Sequence, residues 1–454
     1  MKIAFYSTGG IDPASPFSSR HFLFPGKNGE WDALAVGRSE DSIAVYCTGS
    51  ATHMIDIAGG ELRGTSERVP YHILPTSASI EEFADRIAGD GVEVAIAYSL
   101  PDVTFDWYPV RDALVGEALA KRGVRVIAHP ALSAEICLEK MTFQKVLKEN
   151  GFLYAEGVYV HSGMFYSDRR IERIRNNVYQ EYIRSRLEQL KYPVIIKEAA
   201  GSGSVGLKIA ATPEEAFQKL LDADGDCDVM VEEKLEGESF GIEMYGDPEG
   251  YYVADPILFS TGEDGVTDPF NSIKYGPVCD AAHHVEELKE ELKRLGRVLG
   301  LSGIAEMDLI FSSGKWYILE VNPRFSLLSQ AVSIMEGWNP FEPLVETMLP
   351  PAKRHFRPME GKCHVLDFKS GPFPDEKIRE IREKFPGIRH VMRFLYGLPG
   401  GGEVSYCEWV LSGADNRELL EKLTALKTAY PKVVSDAVTC NTKQLIRKLT
   451  EEEV

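Results

Sequence analysis

Glu306-Met307-Asp308-Leu309-Ile310, then a short connection through Ser313-Gly314-Lys315, then Ile318-Leu319-Glu320-Val321-Asn322-Pro323-Arg324: this stretch reads as two antiparallel strands and a turn. Side chains alternate faces along a strand. Leu319 and Val321 are therefore expected to bury, with Glu320 and Asn322 together on the other face. Glu306 and Asp308 likewise share one face, with Met307 and Leu309 opposite. If Asp308 stands across from Glu320, then Asp308, Glu320 and Asn322 converge as three oxygen ligands. That is the hard-oxygen set magnesium prefers, completed by water and phosphate oxygens. A one-residue slip would send one carboxylate to the wrong side. A three-residue loop with Gly314 in a left-handed conformation, or a bulge, gives the required match.

Working back along the chain, Lys197 ends an apolar strand, Pro193–Glu198. It precedes Gly201-Ser202-Gly203-Ser204-Val205-Gly206. Loop amides unhindered by Cβ atoms wrap phosphate oxygens, and a lysine adds a point charge. The order differs from Gly-x-x-x-x-Gly-Lys-Ser/Thr, in which the lysine follows the loop. Further pieces are Glu139-Lys140 within a helix expected over Ala131–Glu149, and Val231-Glu232-Glu233-Lys234-Leu235-Glu236-Gly237-Glu238. The latter is a strand running into a linker that offers backbone groups to a purine edge and a carboxylate to ribose hydroxyls. Lys274 lies in Asn271-Ser272-Ile273-Lys274-Tyr275. A charged helix is expected over Ser167–Leu190, and a helix over Val285–Leu299 with His283-His284 as exposed residues at its start.

Taken in this order, the pieces resemble the ATP-grasp superfamily over about residues 130–348. They are similar in particular to its carboxylate–amine ligases: D-alanine–D-alanine ligases, amino-acid ligases, and the pyrrolysine-pathway ligase that joins an ornithine derivative to lysine. The resemblance implies an α/β fold with α+β parts. It has an N-terminal pre-ATP-grasp domain over 1–130, an ATP-grasp region over 131–348 with a lid near 192–235, and a C-terminal α+β domain over 349–454. It implies ATP and two magnesium ions, with manganese as a substitute. Lys140, Lys197, Gly203 and Ser204 would contact phosphates. Glu232, Glu233 and Leu235 would frame adenine. Asp308, Glu320 and Asn322 would hold the metal. Arg324 and Lys274 would serve the chemistry. Ser239 stands where D-alanine ligases carry the ribose-binding glutamate, so Glu238 or Glu243 takes that part. Glu306 stands where they carry an arginine, which argues against a D-alanine ligase proper.

The implied reaction is ATP-dependent amide formation from a carboxylate, an amino acid in the first instance, and an amine through an acyl phosphate. The alternatives are a biotin-carboxylase-like enzyme using bicarbonate and a nucleotide-binding module without turnover. The expected partners are small molecules, and a homodimer stays open.

The first 130 residues alternate strand-like and helix-like runs, as in a parallel sheet covered on both faces. Ligands of such sheets sit at the carboxyl ends of strands, here after Tyr6 and Tyr98. Tyr98, Asp102, Trp107, Tyr108 and Arg111 are the acceptor-site candidates there. Lys and Arg number 50 against 69 Asp and Glu. The resulting charge of −19 opposes binding to nucleic acid or to anionic membranes. No apolar run is long enough to span a bilayer. The seven cysteines are scattered, without a Cys-x-x-Cys pair, which fits a reduced cytoplasmic protein with buried thiols.

Overall fold

A computed structural model describes residues 1–9, 29–48, 55–58, 61–64, 66–99, 107–171, 174–199, 207–262, 264–267, 272–356, 362–397 and 403–451. Gly203 and Ser204, with the rest of their loop, lie outside the described residues, as do Asp102 and Asn271.

The N-terminal strands are β1 (Lys2–Ser7), β2 (Ser42–Thr48), β3 (Ile55–Ala58), β4 (Glu61–Gly64), β5 (Tyr71–Leu74), β6 (Val94–Ala97) and β7 (Arg125–Ile127). Five of them form a parallel sheet in the order β5-β2-β1-β6-β7, and β3 pairs with β4 separately. Alternate residues of β1 feed opposite cores, as expected of a sheet covered on both faces. Ile3 and Phe5 pack with Trp31 and Phe341. Ala4 and Tyr6 pack with Phe83 and Leu119 from the flanking helices Ile80–Gly89 and Tyr108–Lys121. The first of these helices begins in a capping box between Ser79 and Glu82.

A second, antiparallel sheet is built from β8 (Gly157–Val160), β9 (Val194–Glu198), β10 (Lys208–Ala210) and β11 (Val229–Glu233), in the order β10-β9-β11-β8. The third sheet is the largest. Its strands are β12 (Glu238–Asp247), β13 (Gly250–Val253), β14 (Ile257–Phe259), β15 (Lys274–Gly276), β16 (Gly303–Ser312), β17 (Lys315–Asn322), β18 (His364–Ser370), β19 (Ile388–Gly397) and β20 (Glu403–Gly413). The order β17-β16-β12-β14-β15-β18-β20-β19 makes the strands beyond residue 349 a continuation of the same sheet, and β13 pairs with β12 off that path. One face carries a core of Phe240, Ile242, Met307, Leu309, Ile318, Val321, Leu366 and Trp409. The helix Val285–Leu299 packs Leu288, Leu292, Leu295 and Leu299 into it.

Several expected elements differ. Ala131–Glu149 is two helices, Ala131–Leu138 and Lys140–Glu149, because Glu139 between them is extended (φ −98°, ψ 97°). Lys140 thus opens a new helix. The long helix expected over Ser167–Leu190 is a single turn, Ser167–Arg170, and a separate helix, Val178–Leu187. The side-chain oxygen of Asn177 accepts from the Tyr179 and Gln180 amides and starts the second helix afresh. His283 is buried at 2% exposure, not an exposed cap; Asp280 faces its Nδ1 and Glu238 its Nε2. The seven cysteines are free, with Cys47, Cys137 and Cys407 buried and Cys227, Cys279 and Cys440 exposed. Among the described residues no helix is long and apolar enough to cross a membrane.

Candidate active site

The β16–β17 hairpin turns at Ser313 and Gly314, both with positive φ (51° and 73°). This is the conformation a two-residue hairpin needs to match the strand twist. Its register pairs Asp308 with Glu320 and Glu306 with Asn322. A bulge makes this possible: the next pair is Leu309 with Ile318, so Leu319 has no partner. Ile318 consequently joins the core at 3% exposure while Glu320 faces the other side. The expected burial of Leu319 is therefore corrected, since Leu319 is only half-buried and Ile318 fills the core position.

On this face the polar groups interlock. Asn322 Nδ2 donates to Glu306 Oε2 at 2.8 Å, and Arg324 Nη2 donates to Asn322 Oδ1 at 3.2 Å. Lys140 Nζ, from the start of its helix, lies 3.8 Å from Glu320 Oε2. Lys197 Nζ, from β9 of the second sheet, lies 2.5 Å from Glu232 Oε2 on β11. Gln144, one helical turn beyond Lys140, donates to Glu232 Oε1 at 2.8 Å. Glu233 Oε1 accepts from the Lys191 amide at 2.9 Å. Leu235 stands half-exposed where the chain passes from β11 to β12.

The charges respond to this crowding. Burial alone would push the Lys197 ammonium down, but Glu232, Glu320 and Asp308 raise it, which ties the second sheet electrostatically to the third. Burial would raise Glu320, yet Lys140, Lys197 and Arg324 hold its carboxyl below the usual range. Asp308 is pushed well up by burial and by Glu306 and Glu320. Glu306 and Glu320 thus disfavour the ionisation of Asp308, whose hydrogen bonds in turn favour theirs. Among the described residues no three His, Cys, Asp or Glu side chains are placed to hold a metal ion together. Asp308, Glu320 and Asn322 are instead two carboxylates and an amide on one face of the hairpin.

Three sequence candidates stand apart from this group. Glu238 shares the core face with Phe240 and Ile242, and its Oε2 lies 2.8 Å from His283 Nε2. Glu243 is on the site face but fully buried, held by the hydroxyls of Ser329 and Tyr245, both at 2.5 Å. Burial raises its carboxyl to about 7. Neither offers a free carboxylate to a ribose. Lys274 is bound by Asp367 Oδ2 at 2.7 Å and Glu408 Oε1 at 2.5 Å. Gln144 escaped the sequence reading, although its i+4 spacing from Lys140 places it on the same helix face.

At the N-terminal sheet, the Phe325 amide donates to Ser99 O at 3.0 Å, which brings the strand ends after Tyr6 and Tyr98 up to Arg324. Buried Asp112 accepts from Thr8 N and from Ser99 Oγ, both at 2.6 Å. Arg111 donates to Thr8 O at 3.2 Å. Tyr98 is a packing residue, edge-on to Phe5, Trp31 and Phe341.

Residues 165–327 match the model of the ATP-grasp domain, a span that holds Lys197, Glu232, Glu306, Asp308, Glu320, Asn322 and Arg324 and leaves out Lys140 and Gln144. Residues 165–327 are an ATP-grasp domain. The arginine-specific carbamoyl phosphate synthase large chain of Bacillus subtilis (strain 168) is 22% identical over 271 residues, 59% of this chain and 24% of that protein. The D-alanine–D-alanine ligase B of Clostridium tetani is 28% identical over 251 residues, 51% of this chain and 65% of the ligase. This chain thus spans about a quarter of the first relative and just under two thirds of the second. The L-amino acid ligase of Bacillus licheniformis superposes with a TM-score of 0.61 at 14% identity, over 94% of this chain and 97% of the ligase. That likeness is one of fold, and it covers nearly the whole chain.

Proposed function

We propose that this protein is an ATP-dependent ligase that joins a carboxylate, in the first instance that of an amino acid, to an amine through an acyl phosphate. The observation that carries this reading is the pairing of Asp308 with Glu320 on the face where Asn322, Arg324, Lys140 and Lys197 gather. Asp308, Glu320 and Asn322 would hold magnesium, which supplies charge neutralisation at the transferring phosphoryl group. Lys140 and Lys197 contact the phosphates of ATP from two different elements. Arg324 steadies the transferred phosphoryl group, its guanidinium held in place by Asn322.

A carboxylate does not acylate an amine at neutral pH. A carboxylate oxygen attacks the γ-phosphorus, the bond from that phosphorus to the β–γ bridging oxygen breaks, and ADP departs. The unprotonated amine then attacks the acyl carbon. The carbon–oxygen bond to phosphate breaks, inorganic phosphate leaves, and the amine proton passes to solvent. The protein's part is alignment and charge compensation, the dominant contributions to phosphoryl transfer.

The test is a screen of amino-acid pairs for ADP and phosphate release, with the product identified by mass. ADP release that needs both a carboxylate and an amine supports the reading. Release that needs bicarbonate and no amine would point to a carboxylase, and binding of ATP without release to a regulatory module.

A further inference from the structure

The polar face of the hairpin continues onto β12. Glu243 pairs with Glu306 and Glu306 with Asn322, so the three share that face on adjacent strands. Glu243 is fully buried, and its carboxylate meets the turn that follows Arg324. Oε1 accepts from Ser329 Oγ at 2.5 Å, and Oε2 from the Tyr245 hydroxyl at 2.5 Å. Ser329 Oγ, having given its one proton to Glu243, accepts from the Ser326 amide at 2.9 Å. The turn also closes on itself, the Leu328 amide donating to Ser326 Oγ at 3.0 Å. Leu328 rests on β12, where a Cβ on Gly241 would come within 2.8 Å of its Cδ2.

The Ser326 amide and the Phe325 carbonyl belong to one planar peptide group. That carbonyl accepts from Arg324 Nη1 at 3.2 Å, while Arg324 Nη2 donates to Asn322 Oδ1. The guanidinium is thus held at one point on the strand and at one on the turn. The hairpin fixes the first. The second depends on how the Phe325–Ser326 peptide is turned, and a chain of hydrogen bonds carries that orientation back through the Ser329 hydroxyl to Glu243. A hydrocarbon side chain would fill the place of Glu243 without the cost of burying a carboxyl group, but it could not hold the Ser329 hydroxyl in one direction.

We propose that Glu243 is a positioning residue for Arg324: through Ser329 it fixes the Phe325–Ser326 peptide, and with it the guanidinium that meets the transferred phosphoryl group. This rests on the proposed ligase reading, which gives Arg324 that part. Glu243 then acts on the phosphoryl-transfer step and not on nucleotide binding, because Lys140 and Lys197 reach ATP from other elements. It also gives Ser326 and Ser329 a common purpose, as the two hydroxyls that shape the turn around that peptide.

The experiment compares Glu243→Leu, Ser329→Ala and Glu243→Gln, whose amide oxygen still accepts from Ser329. Glu243→Leu and Ser329→Ala should each lower kcat for ADP release about ten- to a hundredfold, with KM for ATP within about twofold of native. Glu243→Gln should keep most of kcat. In an Arg324→Ala background, Glu243→Leu should cost almost nothing further, since the group it positions is gone. Ser329→Ala breaks the same chain without altering β12, and it carries the comparison should Glu243→Leu not fold. A loss of the same factor with and without Arg324 is what a merely structural role gives, and it would overturn the proposal. A Glu243→Gln enzyme as slow as Glu243→Leu would do the same. Hydrogen exchange over residues 324–330 needs no turnover: the Ser326 amide should exchange about tenfold faster in Glu243→Leu than in the native protein or Glu243→Gln. Equal exchange in all three would overturn the proposal. Absence of ADP release with every carboxylate and amine would contradict the ligase reading, and the exchange comparison would still decide whether Glu243 holds the turn.

Discussion

Asp308 and Glu320 are direct partners across the β16–β17 ladder, and the unpaired Leu319 is what puts them there. Without that bulge, Ile318 and Glu320 would share a face, and either the core would take in a carboxylate or the site would lose one.

The bulge makes the two neighbours unequal. Ile318→Ala removes a side chain that is 3% exposed and should cost about 2–5 kcal/mol. Leu319→Ala should cost less than about 1.5 kcal/mol, because Leu319 is only half-buried. Denaturant midpoints of the two variants measure this directly. The reverse ranking would mean that the ladder runs without a bulge.

Glu320→Gln should fold, and should bind the adenine end of ATP much as the native protein does. Turnover should fall at least about a hundredfold, in kcat more than in KM for the amine. A neutral amide cannot balance metal charge as the γ-phosphoryl group departs. A near-native kcat would put the metal site elsewhere.

Lys197→Met should weaken ATP binding by roughly tenfold or more, the loss expected for one charge-assisted contact. The change also strands Glu232, whose other oxygen is held by Gln144. Adding Glu232→Gln should therefore restore melting temperature without restoring nucleotide affinity. Recovery of both would show that Lys197 serves the fold alone.

His129 provides a pH signature. It is buried, its Nδ1 accepts from the Ser302 amide at 3.1 Å, and its Nε2 donates to Ile304 O at 2.8 Å. The ring is thus held neutral, and burial lowers its pKa to about 4. An unfolded histidine titrates near 6.5. Below that pH the unfolded chain binds a proton that the folded chain refuses. The contribution to stability is complete above pH 6.5 and is lost as pH falls towards 4. It amounts to about 3 kcal/mol. Stability curves should show the native protein losing about that much more than His129→Gln across this window. Parallel curves would mean that His129 protonates in place.

Much of the site was legible because its signals are local. Acid-x-acid facing acid-x-amide on adjacent strands fixes a face once the register is right, and Lys197 follows directly from its strand. What escaped depends on neighbours remote in sequence. A period-2 pattern runs unbroken through Leu319, so the bulge leaves no mark in it. Glu139 breaks a helix that apolar spacing would carry through, and Asn177 restarts one by capping. The placement of Glu238 could have been read, because it alternates in step with Phe240 and Ile242. Lys274 could not, since its partners lie on strands 93 and 134 residues further along.

The acyl phosphate is the centre of the proposed chemistry, and labelling the substrate carboxylate with oxygen-18 tests it most directly. With an amine and carboxylate pair that supports ADP release, one labelled oxygen per amide formed should appear in inorganic phosphate, with the product keeping the other. Unlabelled phosphate alongside labelled amide would show that the carboxylate never attacked the γ-phosphorus, and would contradict the mechanism built on Asp308, Glu320 and Arg324.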